Sequence, residues 1–110
     1  MGRFVKGEVV VIPFPFSDLT ISKPRPALVV AELRGDDVIL CMITTPNRPD
    51  GYSIPLSASD FASGSIHHDS FIRPNRLFTG DSNIITKAIG KLSATKMAEV
   101  EQKIIGIITS

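Results

Sequence analysis

The chain has 110 residues, 12 Lys+Arg against 11 Asp+Glu, 43% apolar residues and one cysteine. That length fits one domain spanning residues 1–110, since domains run roughly 100–200 residues, and excludes a cofactor domain joined to a substrate domain. A net charge of +1 gives no global attraction for nucleic acid, so any basic surface must come from local clustering.

Cys41 has no second cysteine to pair with, and no apolar run approaches the roughly 20 residues of a membrane span. The apolar N-terminal stretch is interrupted by Glu8, Pro13 and Pro15, unlike a signal peptide. A soluble cytoplasmic protein without membrane association is expected.

The prolines fall at Pro13, Pro15, Pro24, Pro26, Pro46, Pro49, Pro55 and Pro74 and not beyond. Strands and loops are therefore expected first and a helix only at the end, because proline is excluded from helix interiors. Short runs rich in β-branched residues predict strands at Glu8–Ile12 (running out through Pro13-Phe14-Pro15-Phe16), Ala27–Leu33, Asp37–Thr44, Tyr52–Leu56 and Ser70–Arg73. Arg34-Gly35-Asp36-Asp37 reads as a hairpin turn. A further strand fits Asn83–Leu92, although its apolar positions do not fall on one face. Met97, Val100, Ile104 and Ile108, with Ile105 beside them, then recur at helical spacing behind Ser93, a suitable N-cap. Five or six strands and one helix predict a mainly β fold: a small, strongly curled sheet or SH3-like β-barrel with a C-terminal helix.

The segment most suggestive of chemistry is Lys23-Pro24-Arg25-Pro26. Flanking prolines keep Arg25 extended, and a guanidinium presented at a strand entrance suits bidentate grip on a phosphate or carboxylate. An ordinary surface arginine would have the same neighbours. Thr44-Thr45 closes a strand, where hydroxyls can donate to a phosphate oxygen; threonine also simply favours strands. His67-His68-Asp69 brings side chains that titrate near neutrality. Read as a strand, adjacent histidines face opposite sides, so one at most joins a given site. No second histidine pair completes a metal shell, and neither metal nor cofactor is expected. Cys41 lies in an apolar run and reads as a buried small hydrophobe. Lys23, Arg25, Arg48, Arg73, Arg76, Lys87 and Lys91 could form one basic face or remain scattered solvated charges.

Gly7-Glu8-Val9-Val10 with Pro13-Phe14, the block Lys23-Pro24-Arg25-Pro26-Ala27-Leu28-Val29-Val30, Ile43-Thr44-Thr45, Gly51-Tyr52 and Gly90-Lys91-Leu92-Ser93 together resemble the MazF/PemK (Kid) family of toxins from type II toxin–antitoxin systems. The resemblance runs in order along almost the whole chain. It implies an SH3-like barrel of the MazF/PemK/CcdB type, forming a homodimer. It also implies a metal-independent, sequence-selective endoribonuclease that cuts single-stranded RNA, typically mRNA. The implied partner is a cognate MazE/PemI-type antitoxin with an acidic tail, through which alone DNA would be contacted.

Carried over by position, the catalytic arginine falls on Arg25 and the catalytic threonine on Thr44, with Thr45 the second candidate. Lys23, Arg48, Arg73, Arg76 and Lys87 are the candidate RNA-binding cations. Many relatives carry an acid followed by Gln-x-Arg on the fifth strand. Here the stretch is Arg73-Pro74-Asn75-Arg76, so Arg76 matches, Arg73 replaces the acid, and His68 or Asp69 are candidates to substitute for it. A non-nuclease toxin like the gyrase-inhibiting CcdB relatives, or an inactive SH3-like interaction domain, are the competing readings.

Overall fold

The computed structural model describes residues 4–15, 22–45 and 50–110. Its strands are β1 (Glu8–Pro15), β2 (Ser22–Glu32), β3 (Asp37–Thr44), β4 (Ile54–Leu56), β5 (Phe61–Gly64), β6 (Ser70–Asp81) and β7 (Lys87–Leu92), followed by helix α1 (Ala94–Thr109). All seven belong to one antiparallel sheet in the order β4-β6-β3-β2-β1-β7-β5, curled into a half-barrel.

Alternation along the central strands sorts apolar side chains to two faces. Val9, Leu28, Cys41 and Ile43 point to one, where they meet Ile72, Leu92 and the helical residues Met97 and Val100. Val10, Ile12, Ala27, Val29 and Leu40 point to the other, closed by Val38 and Ile85 with Phe4 and Phe78. Each fully buried aliphatic side chain contributes about 1.5–3 kcal/mol relative to exposure, so both faces stabilise the sheet.

The hairpin turn between β2 and β3 holds Gly35 at φ 74°, a conformation that favours glycine. Ser93 caps α1, its Oγ accepting from the Lys96 amide at 3.2 Å. Ile104 packs partly against the core, whereas Ile105 and Ile108 are 50% and 71% exposed. The apolar stripe thus runs on past the part of the helix that the sheet covers.

Several strands differ from their sequence reading. β2 starts at Ser22, so Lys23-Pro24-Arg25-Pro26 lies within a strand. This end pairs with β1, while pairing with β3 begins only at Ala27↔Met42. Prolines are tolerated where one side of a strand has no ladder to supply. β6 continues through Pro74 to Asp81 because the register jumps from Met42↔Arg73 to Cys41↔Leu77. Residues 74–76 form the resulting bulge, with Pro74 fully buried. Asn83–Leu92 is split. Ser82–Ile84 forms a short 3-10 turn capped by Asp81, which accepts from the Asn83 amide at 2.9 Å, and β7 starts at Lys87.

β5 has no clear sequence signal. It closes one sheet edge through the pair Gly64↔Gly90. Gly64 has φ 69°, and a Cβ there would lie 2.2 Å from the Ile89 carbonyl oxygen.

Candidate functional site

Beyond the Val9–Leu28 core row, the next row on the same face is Val11 with Pro26 of β2 on one side and Lys87 of β7 on the other. No large side chain from the helix reaches this end, and a cavity of about 410 Å³ opens there. Val11, Pro24, Pro26, Ile66 and Ile89 form its apolar lining. Arg25, Thr45, His67, His68, Ser70 and Lys87 form its polar lining.

Of the residues singled out from sequence, the fold thus gathers Arg25, Thr45, His68 and Lys87 around one cavity. Arg25 is half-buried on β2 and pairs with Ile12 of β1. Thr44 pairs with Phe71 of β6 and is not among the residues that line the cavity. Arg25 therefore borders the cavity with Thr45, while Thr44 is half-buried on β3.

Both histidines border the cavity, where the strand reading admitted one at most. Residues 65–69 form a turn between β5 and β6, so strand alternation does not apply to them. The flanking Gly64-Ser65 and Asp69-Ser70, turn-forming pairs, carry that signal in the sequence. Val11, Ile66, Ser70 and Ile89 carry no local pattern that marks them as cavity residues. They arrive there through pairing between strands distant in the chain.

Arg73 requires a correction. It was expected on a basic surface, but it is 4% exposed. Its Nη2 donates to Asp50 Oδ2 at 2.5 Å, and Asn75 Nδ2 donates to the same oxygen at 3.3 Å. Its Nε is buried without a hydrogen-bond partner. The Asp50 carboxyl is held down at about 2, first by the Tyr52 amide and then by Arg73 and Asn75. The Arg73 guanidinium is thus matched by a carboxylate from the segment after β3, and is not presented to solvent. Its carbonyl oxygen accepts from Cys41 Sγ at 2.9 Å, and burial pushes the Cys41 thiol up to about 12.

Lys23, Asp69 and Arg76 are exposed and lie outside the cavity lining. Arg48 lies outside the described residues. Among the described residues, no three His, Cys, Asp or Glu side chains come together as a group able to hold a metal ion. No helix among the described residues is long and apolar enough to cross a membrane.

A curled antiparallel sheet, one C-terminal helix on one face and a cation-bearing cavity at one end define a small β half-barrel with an anion-suited site. The chain belongs to the PemK-like, MazF-like toxins of type II toxin–antitoxin systems, a family whose pattern matches residues 5–108. A mycobacterial endoribonuclease solved in complex with its cognate antitoxin has a similar fold, with a TM-score of 0.77 at 14% identity over 97% of this chain and 96% of that one. The MazE–MazF complex from Deinococcus radiodurans matches with a TM-score of 0.77 at 16% identity, over 96% of each chain. The Mycobacterium tuberculosis toxin MazF-mt6 matches with a TM-score of 0.68 at 18% identity, over 91% of this chain and 96% of that one. No match is found among curated proteins.

Proposed function

We propose that this chain, acting as one toxin domain, is a metal-independent, sequence-selective endoribonuclease that cleaves single-stranded RNA in the cytoplasm. The observation that carries the reading is a cavity bordered by Arg25, Lys87, two histidines and Thr45 in a chain of the PemK/MazF toxin family. Similarly folded mycobacterial proteins are endoribonucleases.

The substrate's own 2′-hydroxyl attacks the adjacent phosphorus, giving a 2′,3′-cyclic phosphate and a 5′-hydroxyl. Charge accumulates on the non-bridging oxygens as the bond forms. Arg25 supplies paired donors to those oxygens, braced by Pro24 and Pro26, and Thr44 adds a hydroxyl donor with Thr45 in support. Lys23, Arg48, Arg76 and Lys87 attract the flanking phosphates. Guanidinium stays protonated at neutral pH, which suits it to charge stabilisation and not to proton abstraction.

The test is incubation of the purified protein with a long RNA, in excess EDTA, followed by mapping of new 5′-hydroxyl ends. Cleavage at a short recurring sequence is expected, and Arg25→Ala should slow it by ~10²–10³-fold while leaving the fold intact. Intact RNA under all conditions removes the ribonuclease reading and favours a protein-binding toxin. Activity that requires added Mg²⁺ removes the metal-independent mechanism.

A further inference from the structure

Attack by a 2′-hydroxyl needs a group to take its proton. Among the described residues bordering the cavity there is no carboxylate. Guanidinium and ammonium groups remain protonated near neutrality, whereas imidazole is the side chain that gains and loses a proton there. His67 and His68 are the imidazoles at this cavity.

The turn that carries them is fastened on both sides. The Ser65 amide donates to the Ile89 carbonyl of β7 at 3.3 Å. Ile66 packs against the core beneath α1. Ser70, 2% exposed, donates its hydroxyl to the His68 carbonyl at 2.8 Å. Gly64, which ends β5 just before the turn, fits against β7 with no room for a Cβ. The two imidazoles therefore border the cavity that Arg25 also lines, from a backbone already fixed, the arrangement that lowers the entropic cost of a proton-transfer geometry.

We infer that the His67–His68 turn supplies the imidazole that accepts the 2′-hydroxyl proton in this protein. The inference rests on the ribonuclease reading above. The imidazole lone pair takes the proton as O2′ forms its bond to phosphorus, and the P–O5′ bond breaks. The 5′-oxygen leaves with a proton from water, and the imidazolium returns its proton to the hydroxide so formed. The charged groups that share the cavity lining with the imidazoles are Arg25 from β2 and Lys87 from β7, with Asp69 next on the turn but outside the lining.

The experiment uses the full chain and its double variant His67→Ala/His68→Ala, with folding checked by thermal unfolding. Single-turnover cleavage of a long RNA at saturating protein is followed over about pH 5–8. The wild-type rate should rise with pH through the imidazole range and then level. The double variant should be slower by about 10²–10⁴-fold, lack the rising limb, and be partly rescued by added imidazole. A folded double variant with the wild-type rate and profile overturns the inference, as does a slow variant that keeps the rising limb and ignores added imidazole. If wild type cleaves and Arg25→Ala does not, such a result removes the histidine role alone. Wild type that leaves RNA intact at every pH removes both readings.

Discussion

Arg73 and Asp50 show how one side chain's environment reverses its expected use. A guanidinium read from sequence as a phosphate ligand is enclosed by the fold and answered by a carboxylate from another segment. The pairing has a pH signature. Asp50 titrates at about 2 in the folded chain against an ordinary value of 3.8. A depressed carboxyl contributes stability above the unfolded value and loses it as pH falls through the folded one. Asp50→Asn should therefore be less stable than wild type near neutrality, with the gap narrowing as the medium approaches about pH 2. Urea unfolding midpoints at both ends of that window check this, and a gap of equal size throughout contradicts it.

The β5–β7 closure depends on two glycines facing one another, and it also sets the position of the histidine turn. At Gly64 a new Cβ meets backbone, which cannot swing aside as a flexible side chain could. Gly64→Ala should therefore destabilise by about 1–3 kcal/mol, the usual cost of a strained backbone position. It should also lower cleavage more than that stability loss accounts for, because the turn it displaces carries His67 and His68. Gly106→Ala is the control. It lies in α1 with nothing within 4 Å of an added Cβ, so it should stabilise by about 0.5–1 kcal/mol. Thermal unfolding of both variants reads the contrast, and Gly64→Ala matching wild type would show that the edge can open without loss.

A cavity of about 410 Å³ is the size of a single small-ligand site. Recognition of several successive nucleotides needs a longer surface, which two copies related by a two-fold axis would supply. Leu77, Ile84, Ile105 and Ile108 are large apolar side chains exposed on the single chain and available to such an interface. A site bordered by Arg25 and Lys87 should also attract an acidic antitoxin tail, which would order on binding. Sedimentation is expected to give a homodimer at micromolar concentration, and an Asp/Glu-rich peptide from the cognate antitoxin should displace RNA. A monomer at that concentration, or a peptide that binds without displacing RNA, would contradict this picture of the assembled groove.

Local chemistry determined much of this protein from sequence alone. Alternating β-branched residues gave β1, β3 and most of β2, Gly35 marked the hairpin, and Ser93 with Met97 and Val100 fixed the start and inner face of α1. These features depend on a residue and its near neighbours, so they are legible in order along the chain. The proline-flanked Arg25 was legible for the same reason. Four features depended on pairing between distant segments: the passage of β6 through buried Pro74, the Gly64↔Gly90 closure, the Arg73–Asp50 ion pair, and the meeting of Arg25 with both histidines. Only the tertiary structure decided them, because a strand's partner and the charge facing a buried group are set by the register of the whole sheet, which no local run of residues encodes.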